Sequence, residues 1–202
     1  MSTENTSTCF EQPKSFKFTD ENLKKIKEIT KKYPEGRQQS AVLPALYIAQ
    51  DQSGGWISKV AMDEIAQILN IPNIKVYEVA TFYSMFNLQP VGKYHLQICG
   101  TTPCWLRGSD KLFEACNYKL GIKKGETSSD GLFTLSEVEC LGACVNAPVV
   151  QINNENYYED LNEENFIKLL DNLKNGNAPK IGSQIGRQGS CPEGGSTTLK
   201  NK

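Results

Sequence analysis

Between residues 19 and 90 the apolar positions recur at helical intervals. Leu23, Ile26 and Ile29 form a stripe that predicts a helix over Thr19–Lys32, with Thr19 as its N-cap. The Tyr33-Pro34-Glu35-Gly36 turn stops it. A second helix is expected over Gln38–Gln52, ended by Gly54-Gly55, and a third from the N-cap Ser58 through Met62, Ile65, Ala66 and Leu69. Asn70-Ile71-Pro72 breaks that helix and opens a fourth, in which Val76, Val79, Ala80 and Tyr83 share one face. Four short helices with such stripes bury them against each other, so residues 19–90 read as a helical bundle. Residues 1–18 are polar and are expected to form a disordered lead.

The period changes from helical to alternating after Pro90-Val91-Gly92. Lys93–Ile98 reads as a strand, Pro103–Leu120 as a helix and Gly131–Glu137 as a second strand. Pro148–Ile152 and Asn156–Glu159 form a hairpin around Asn153-Asn154, and Glu163–Lys174 is a closing helix stopped by Asn175-Gly176. Strand, helix, strand, hairpin and helix over residues 91–176 describe a small α/β sandwich of thioredoxin-like kind, so the chain combines a helical domain with an α/β one. Residues 177–202 are rich in Gly, Ser, Gln and Pro and too polar to fold alone.

Composition narrows the function classes. The chain of 202 residues is 39% hydrophobic and 22% charged, enough apolar material for a core without disulfides. Its net charge of −1 gives no electrostatic reason to expect nucleic acid or an anionic membrane surface. The longest apolar stretch, Val42 to Ala49, is interrupted by Pro44 and falls far short of the ~20 residues a bilayer span needs. The lead has no apolar h-region, so no secretory signal is expected. Seven cysteines, an odd number, without an export signal point to a reducing compartment where clustered thiols bind metal or do redox work.

Four of those cysteines form two close pairs, Cys99-x4-Cys104 and Cys140-x3-Cys144, with 36 residues from Cys104 to Cys140. Each pair follows a predicted strand. If the strands are neighbours, both loops leave one end of the sheet and the four thiolates converge. Each iron of a 2Fe–2S cluster needs two thiolates, and a loop of three or four residues supplies them if its backbone is permissive, as Gly100 and Gly142 allow. Structural zinc sites prefer C-x2-C knuckles, thiol–disulfide enzymes C-x-x-C, and plant-type ferredoxins C-x4-C-x2-C. A 2Fe–2S cluster therefore fits best, with zinc held by the same four cysteines as the competing chemistry.

Thr101 or Thr102 can cap the helix after the first pair, with Pro103 in its first turn, which places Cys104 at the positive end of the helix dipole. Arg107 is the one cation expected nearby, while Glu137 and Glu139 precede the second pair, so a low reduction potential is expected. Cys116 reads as a small core residue; Cys9 and Cys191 lie in the polar ends. The single histidine, His95, reads as a packed strand residue, and one histidine leaves nucleophilic catalysis without support. No Gly-rich loop follows a strand, so the chain has no NAD or FMN site of its own.

The stretches GKYHLQICGTTPCWLRGSD and EVECLGACVNAPVVQINNENYYEDL resemble the 24 kDa-type subunit of respiratory complex I, NADH:quinone oxidoreductase. PEGRQQSAVLPALYIAQ, VYEVATFYSMF and the tail GRQGSCPEGGSTTL extend the resemblance over nearly the whole chain from about Phe18. It implies an electron-transfer subunit with one 2Fe–2S cluster on Cys99, Cys104, Cys140 and Cys144. The implied partners are the FMN- and NADH-binding flavoprotein subunit and the large iron–sulfur subunit. The implied place is peripheral, on the cytoplasmic face of a bacterial inner membrane, with the mitochondrial matrix as the alternative. Residues 177–202 would order by packing on the flavoprotein, and their removal would leave the cluster in place. The equivalent subunit of an NAD-linked formate dehydrogenase or hydrogenase, and a free thioredoxin-like ferredoxin, are the other readings.

Overall fold

A computed structural model describes residues 10–177, 179–195, 197 and 198. The chain divides into two compact units, Met1–Pro90 and Val91–Lys202.

In the first unit, helix α1 (Asp20–Thr30) starts where Thr19 Oγ1 accepts the Asn22 N–H at 3.3 Å. A 3-10 turn at Gln38–Ala41 leads into α2 (Val42–Gln52), with Pro44 in the first turn, where its missing N–H has no partner to lose. Ser58 caps α3 (Lys59–Leu69), which ends at Asn70 in the left-handed conformation, and α4 covers Asn73–Phe82. Ile26, Leu46, Ile57, Ile65 and Val76 fill the core. Tyr83, expected on the buried face of the fourth helix, falls just beyond its end and is exposed. The expected disorder of the lead fails where the structure describes it. Phe10 meets Trp56 edge-on at 5.4 Å, Gln12 accepts the Lys59 N–H at 3.1 Å, and Phe18 is buried. These aromatic anchors outweigh the polar composition. Residues 1–9, with Cys9, lie outside the described residues.

The second unit is built on a five-stranded sheet: β1 (Tyr94–Cys99), β2 (Phe133–Val138), β3 (Val150–Ile152), β4 (Asn156–Glu159) and β5 (Gly182–Ser183), in the order β2-β1-β3-β4-β5. β1 runs parallel to β2 and antiparallel to β3, β3 antiparallel to β4, and β4 parallel to β5. Asn153 and Asn154, both at positive φ, make the β3–β4 turn. Two further expectations need correction. The helix after the first cysteine pair is not continuous. A short α5 (Thr102–Leu106) is separated from α6 (Ser109–Leu120) by Gly108 at φ +90°, a conformation that ends helices. The tail, too polar to fold alone, orders without a partner subunit by packing on its own domain. β5 adds an edge strand to the sheet, and the side chain of Arg187, behind it, is almost fully buried. A charged residue at that depth needs a partner in the domain, which Asp160 supplies.

Helices α6 and α7 (Glu163–Lys174) cover one sheet face. Leu112, Ala115 and Cys116 of α6 and Phe166, Leu169 and Leu170 of α7 meet Leu96, Ile98, Phe133 and Leu135 there. The alternate strand positions are polar: His95, Gln97 and Thr134 are buried on the other side.

Candidate functional site

Because β1 and β2 are parallel neighbours with Cys99 opposite Val138, the loops that leave them emerge from one end of the sheet. One carries Cys99 and Cys104; the other carries Cys140 and Cys144. The four thiols converge there, as the spacing predicts, but in two environments. Cys99 and Cys104 are buried in a small apolar cluster with Ala147 and Val149, flanked by Leu141, Ala143 and Tyr157. Cys140 and Cys144 are exposed, with sulfurs 3.4 Å apart. Tyr157 holds the second loop down by donating its hydroxyl to Leu141 O at 3.0 Å.

Backbone and hydroxyl donors surround the sulfurs. The Gly142 N–H points at Cys140 Sγ at 3.4 Å, made possible by Gly142 at φ +79°. Thr101 Oγ1 lies 3.2 Å from Cys99 Sγ. Thr101 does occupy the N-cap position of α5, but its side chain caps nothing; it serves the sulfur instead. At five residues α5 is too short to supply the dipole field expected at Cys104. The second expected glycine also works differently. Gly100 needs no unusual φ; its missing side chain leaves the space that the Glu137 carboxylate occupies.

Burial pushes the Cys104 thiol up to about 12, aided by its hydrogen bond with Cys99. Burial opposes ionisation of Cys99 too, but donors from Thr101, the Leu141 backbone and Cys104 win, and its pKa is lowered. In the exposed pair the Gly142 N–H and Cys144 lower Cys140, and Cys140 raises Cys144. Each pair thus has one thiol with a lowered pKa and one with a raised pKa, Cys104 held protonated chiefly by burial and Cys144 by its neighbour Cys140. A cationic metal group that displaces the protons relieves both penalties at once. Among the described residues no group of three or more His, Cys, Asp or Glu side chains is arranged to hold a metal ion. Two separate pairs suit a binuclear group, one pair per iron, and the donor set fits a 2Fe–2S cluster.

The remaining singled-out residues stay outside this site. His95 is buried mid-strand, its Nε2 2.8 Å from Ser136 Oγ, and burial lowers its pKa to about 4. Cys116 is buried in the main core, where burial pushes its thiol up to about 12, and Cys191 is half-buried in the tail. Arg107 sits where expected, donating its Nε to Ala147 O at 3.4 Å. The sequence reading misses a second cation, Lys124. Its Nζ meets Glu137 Oε2 at 2.6 Å, a contact across a loop that no local motif signals. Exposed Trp105, Leu106 and Val145, at 59%, 71% and 65%, adjoin Cys104 and Cys144.

The family model for thioredoxin-like [2Fe-2S] ferredoxin matches residues 26–174. A subunit of the NADH-quinone oxidoreductase of Rickettsia conorii is 56% identical over 161 residues, covering 80% of this chain and 96% of the relative. NADH dehydrogenase [ubiquinone] flavoprotein 2, mitochondrial, of Dictyostelium discoideum is 51% identical over 184 residues, covering 91% of this chain and 74% of that one. Among solved structures, an NAD+-reducing [NiFe]-hydrogenase in the air-oxidized state superposes with a TM-score of 0.60 at 19% identity. That match covers 71% of this chain and only 24% of the hydrogenase chain, so it shows a shared fold alone.

Proposed function

We infer, for a chain that belongs to the thioredoxin-like [2Fe-2S] ferredoxin family, that it is an electron-transfer subunit of NADH:quinone oxidoreductase, holding one 2Fe–2S cluster through Cys99, Cys104, Cys140 and Cys144. The observation that carries this reading is the convergence of one buried and one exposed cysteine pair at the end of parallel β1 and β2. When bound, the cluster supplies a one-electron acceptor and donor. The residues around it do the rest. Cys99 and Cys104 would anchor the inner side in an apolar, water-poor pocket lined by Ala147 and Val149. Thr101 and the backbone N–H groups of Gly142 and Leu141 direct positive dipoles at the sulfurs and offset the added negative charge.

The chain has no substrate of its own, and electrons would cross at the exposed pair. Exposed Trp105, Leu106 and Val145 beside the cysteines form the apolar kind of surface that a permanent redox partner covers. That partner is the flavoprotein subunit that holds FMN and NADH, with the large iron–sulfur subunit as a second neighbour. Among the described residues no helix is long and apolar enough to cross a membrane. The subunit would sit peripherally, on the cytoplasmic side of a bacterial inner membrane.

Anaerobic purification followed by visible absorption, iron analysis and EPR after dithionite tests the reading. A red-brown protein with about two irons per chain and a rhombic S = 1/2 signal only when reduced is expected. Serine at any one of the four cysteines should remove or alter that signal. A colourless protein that carries one zinc, or a spectrum indifferent to all four replacements, would overturn the assignment. Co-expression with the flavoprotein subunit tests the partner: Trp105→Ala with Val145→Ser should weaken co-purification while the absorbance stays.

A further inference from the structure

The C-terminal segment is built into the cysteine site. After β5 pairs with β4, Gln184 N–H donates to Glu159 O at 3.0 Å, and the chain turns back so that Arg187 enters the domain. Its guanidinium grips Asp160 with both arms, Nε to Oδ2 at 3.1 Å and Nη2 to Oδ1 at 2.7 Å, and both side chains are buried, 6% and 2% exposed. The third arm, Nη1, donates to Cys191 O at 3.2 Å, and Ser183 Oγ donates to Asp160 Oδ2 at 2.6 Å. Asp160 itself is held at φ +53°, a conformation an aspartate adopts rarely.

That grip reaches the second cysteine loop. The Asp160 N–H donates to Asn146 O at 2.7 Å, and buried Asn146 is two residues beyond Cys144. Asn146 Nδ2 donates to Gly189 O at 2.9 Å and to Glu159 Oε2 at 2.6 Å, so it touches the C-terminal segment directly as well. The first loop is reached more weakly, through Arg107 Nη2, which lies 3.9 Å from Glu193 Oε2.

We propose that residues 182–193 are an intrinsic strap that holds the Cys140–Ala147 loop in ligand-binding geometry, with Arg187 as its positioning residue. The inference rests on the reading of the four cysteines as cluster ligands. A rigid fork paired with a buried carboxylate has one low-energy arrangement, so it fixes the Asp160 backbone and, through it, the turn at Asn146. Removal of residues 177–202 should therefore release the cluster, contrary to what the family resemblance implies.

The test uses the full-length cluster-loaded protein. Arg187→Met should release iron to a chelator at least ten times faster than wild type, well below the unfolding midpoint and with an unchanged circular dichroism spectrum. Arg187→Lys, which keeps the charge and loses the fork, should fall between. The reduced EPR signal of Arg187→Met should broaden, a change that a merely structural role would not produce. Release at the wild-type rate with an unaltered signal overturns the proposal. If Arg187→Met does not fold, hydrogen exchange of the wild-type protein decides. Amides of Asn146, Ala147, Asp160 and Gln184 should share one opening event; independent exchange of Asn146 and Ala147 overturns the strap. A colourless wild-type protein overturns the ligand reading instead, and the exchange experiment then judges the strap alone.

Discussion

The Glu137 carboxylate lies over Gly100, in the space a side chain there would need: a Cβ on Gly100 would overlap Glu137 Oε1. Glu137 is the fifth residue of β2, and Gly100 directly follows Cys99, so a strand carboxylate is pressed against the first cysteine loop. Lys124 meets the other oxygen of the same carboxylate at 2.6 Å.

With the cluster on the four proposed cysteine ligands, this contact places a charge pair beside it and should tune its potential. Glu137→Gln removes a negative charge and should raise the midpoint, whereas Lys124→Met leaves the carboxylate uncompensated and should lower it. Both side chains are about half exposed, so the shifts should be on the order of tens of millivolts. EPR-monitored redox titration of the two variants checks the signs. Shifts of one sign in both variants would refute the tuning role.

The Arg187–Asp160 pair makes a stability prediction separate from cluster release. Arg187→Met strands a buried carboxylate and should destabilise the second unit by about 3–5 kcal/mol. Adding Asp160→Asn should recover part of that loss, because Asn tolerates φ +53° and needs no counter-ion. Denaturant unfolding of the single and double variants measures both values. Strict additivity would show that the two residues are not coupled.

His95 makes stability depend on pH. Its ring is buried and its pKa falls from 6.5 to about 4. Below pH 6.5 the unfolded chain takes up a proton that the folded ring refuses until about pH 4. The contribution is therefore complete above pH 6.5 and is lost as the pH falls towards 4, with a ceiling of about 3 kcal/mol. Unfolding of wild type and His95→Gln at several pH values in that window should show a shallower slope in the variant. Equal slopes would remove His95 as the source.

Cys116 should prove structural. Cys116→Ser puts a hydroxyl into the core among Leu112, Ala115 and Phe166 and should cost about 1–3 kcal/mol, while the iron content and the reduced EPR signal stay at wild-type values. Thermal unfolding beside iron analysis makes the comparison. Loss of iron in proportion to lost stability would show that the core and the site are not independent.

Local signals were enough for much of the architecture. Thr19 and Ser58 cap helices where their short polar side chains and the following apolar stripes indicate. Glu163–Lys174 is helical from end to end as expected, and Asn153-Asn154 turns the hairpin, because in each case the deciding interactions lie within four residues. The pairing of the cysteines was equally legible, since two short loops after two strands leave few ways to bring thiols together.

Much of what the chain alone left open involves residues far apart along it. Lys124 reaches Glu137 across thirteen residues and Arg187 reaches Asp160 across twenty-seven, separations over which periodicity carries no information. The polar composition of the C-terminal segment gave no hint that its arginine side chain would be buried, because the stabilising partner sits on another element. That Cys99 and Cys104 face an apolar pocket while Cys140 and Cys144 face outward follows from which loop lies over Val149 and Ala147. Sequence spacing dictates that four thiols can meet; the packing of loop on loop dictates which pair is sheltered from water, and with it the side from which an electron can arrive.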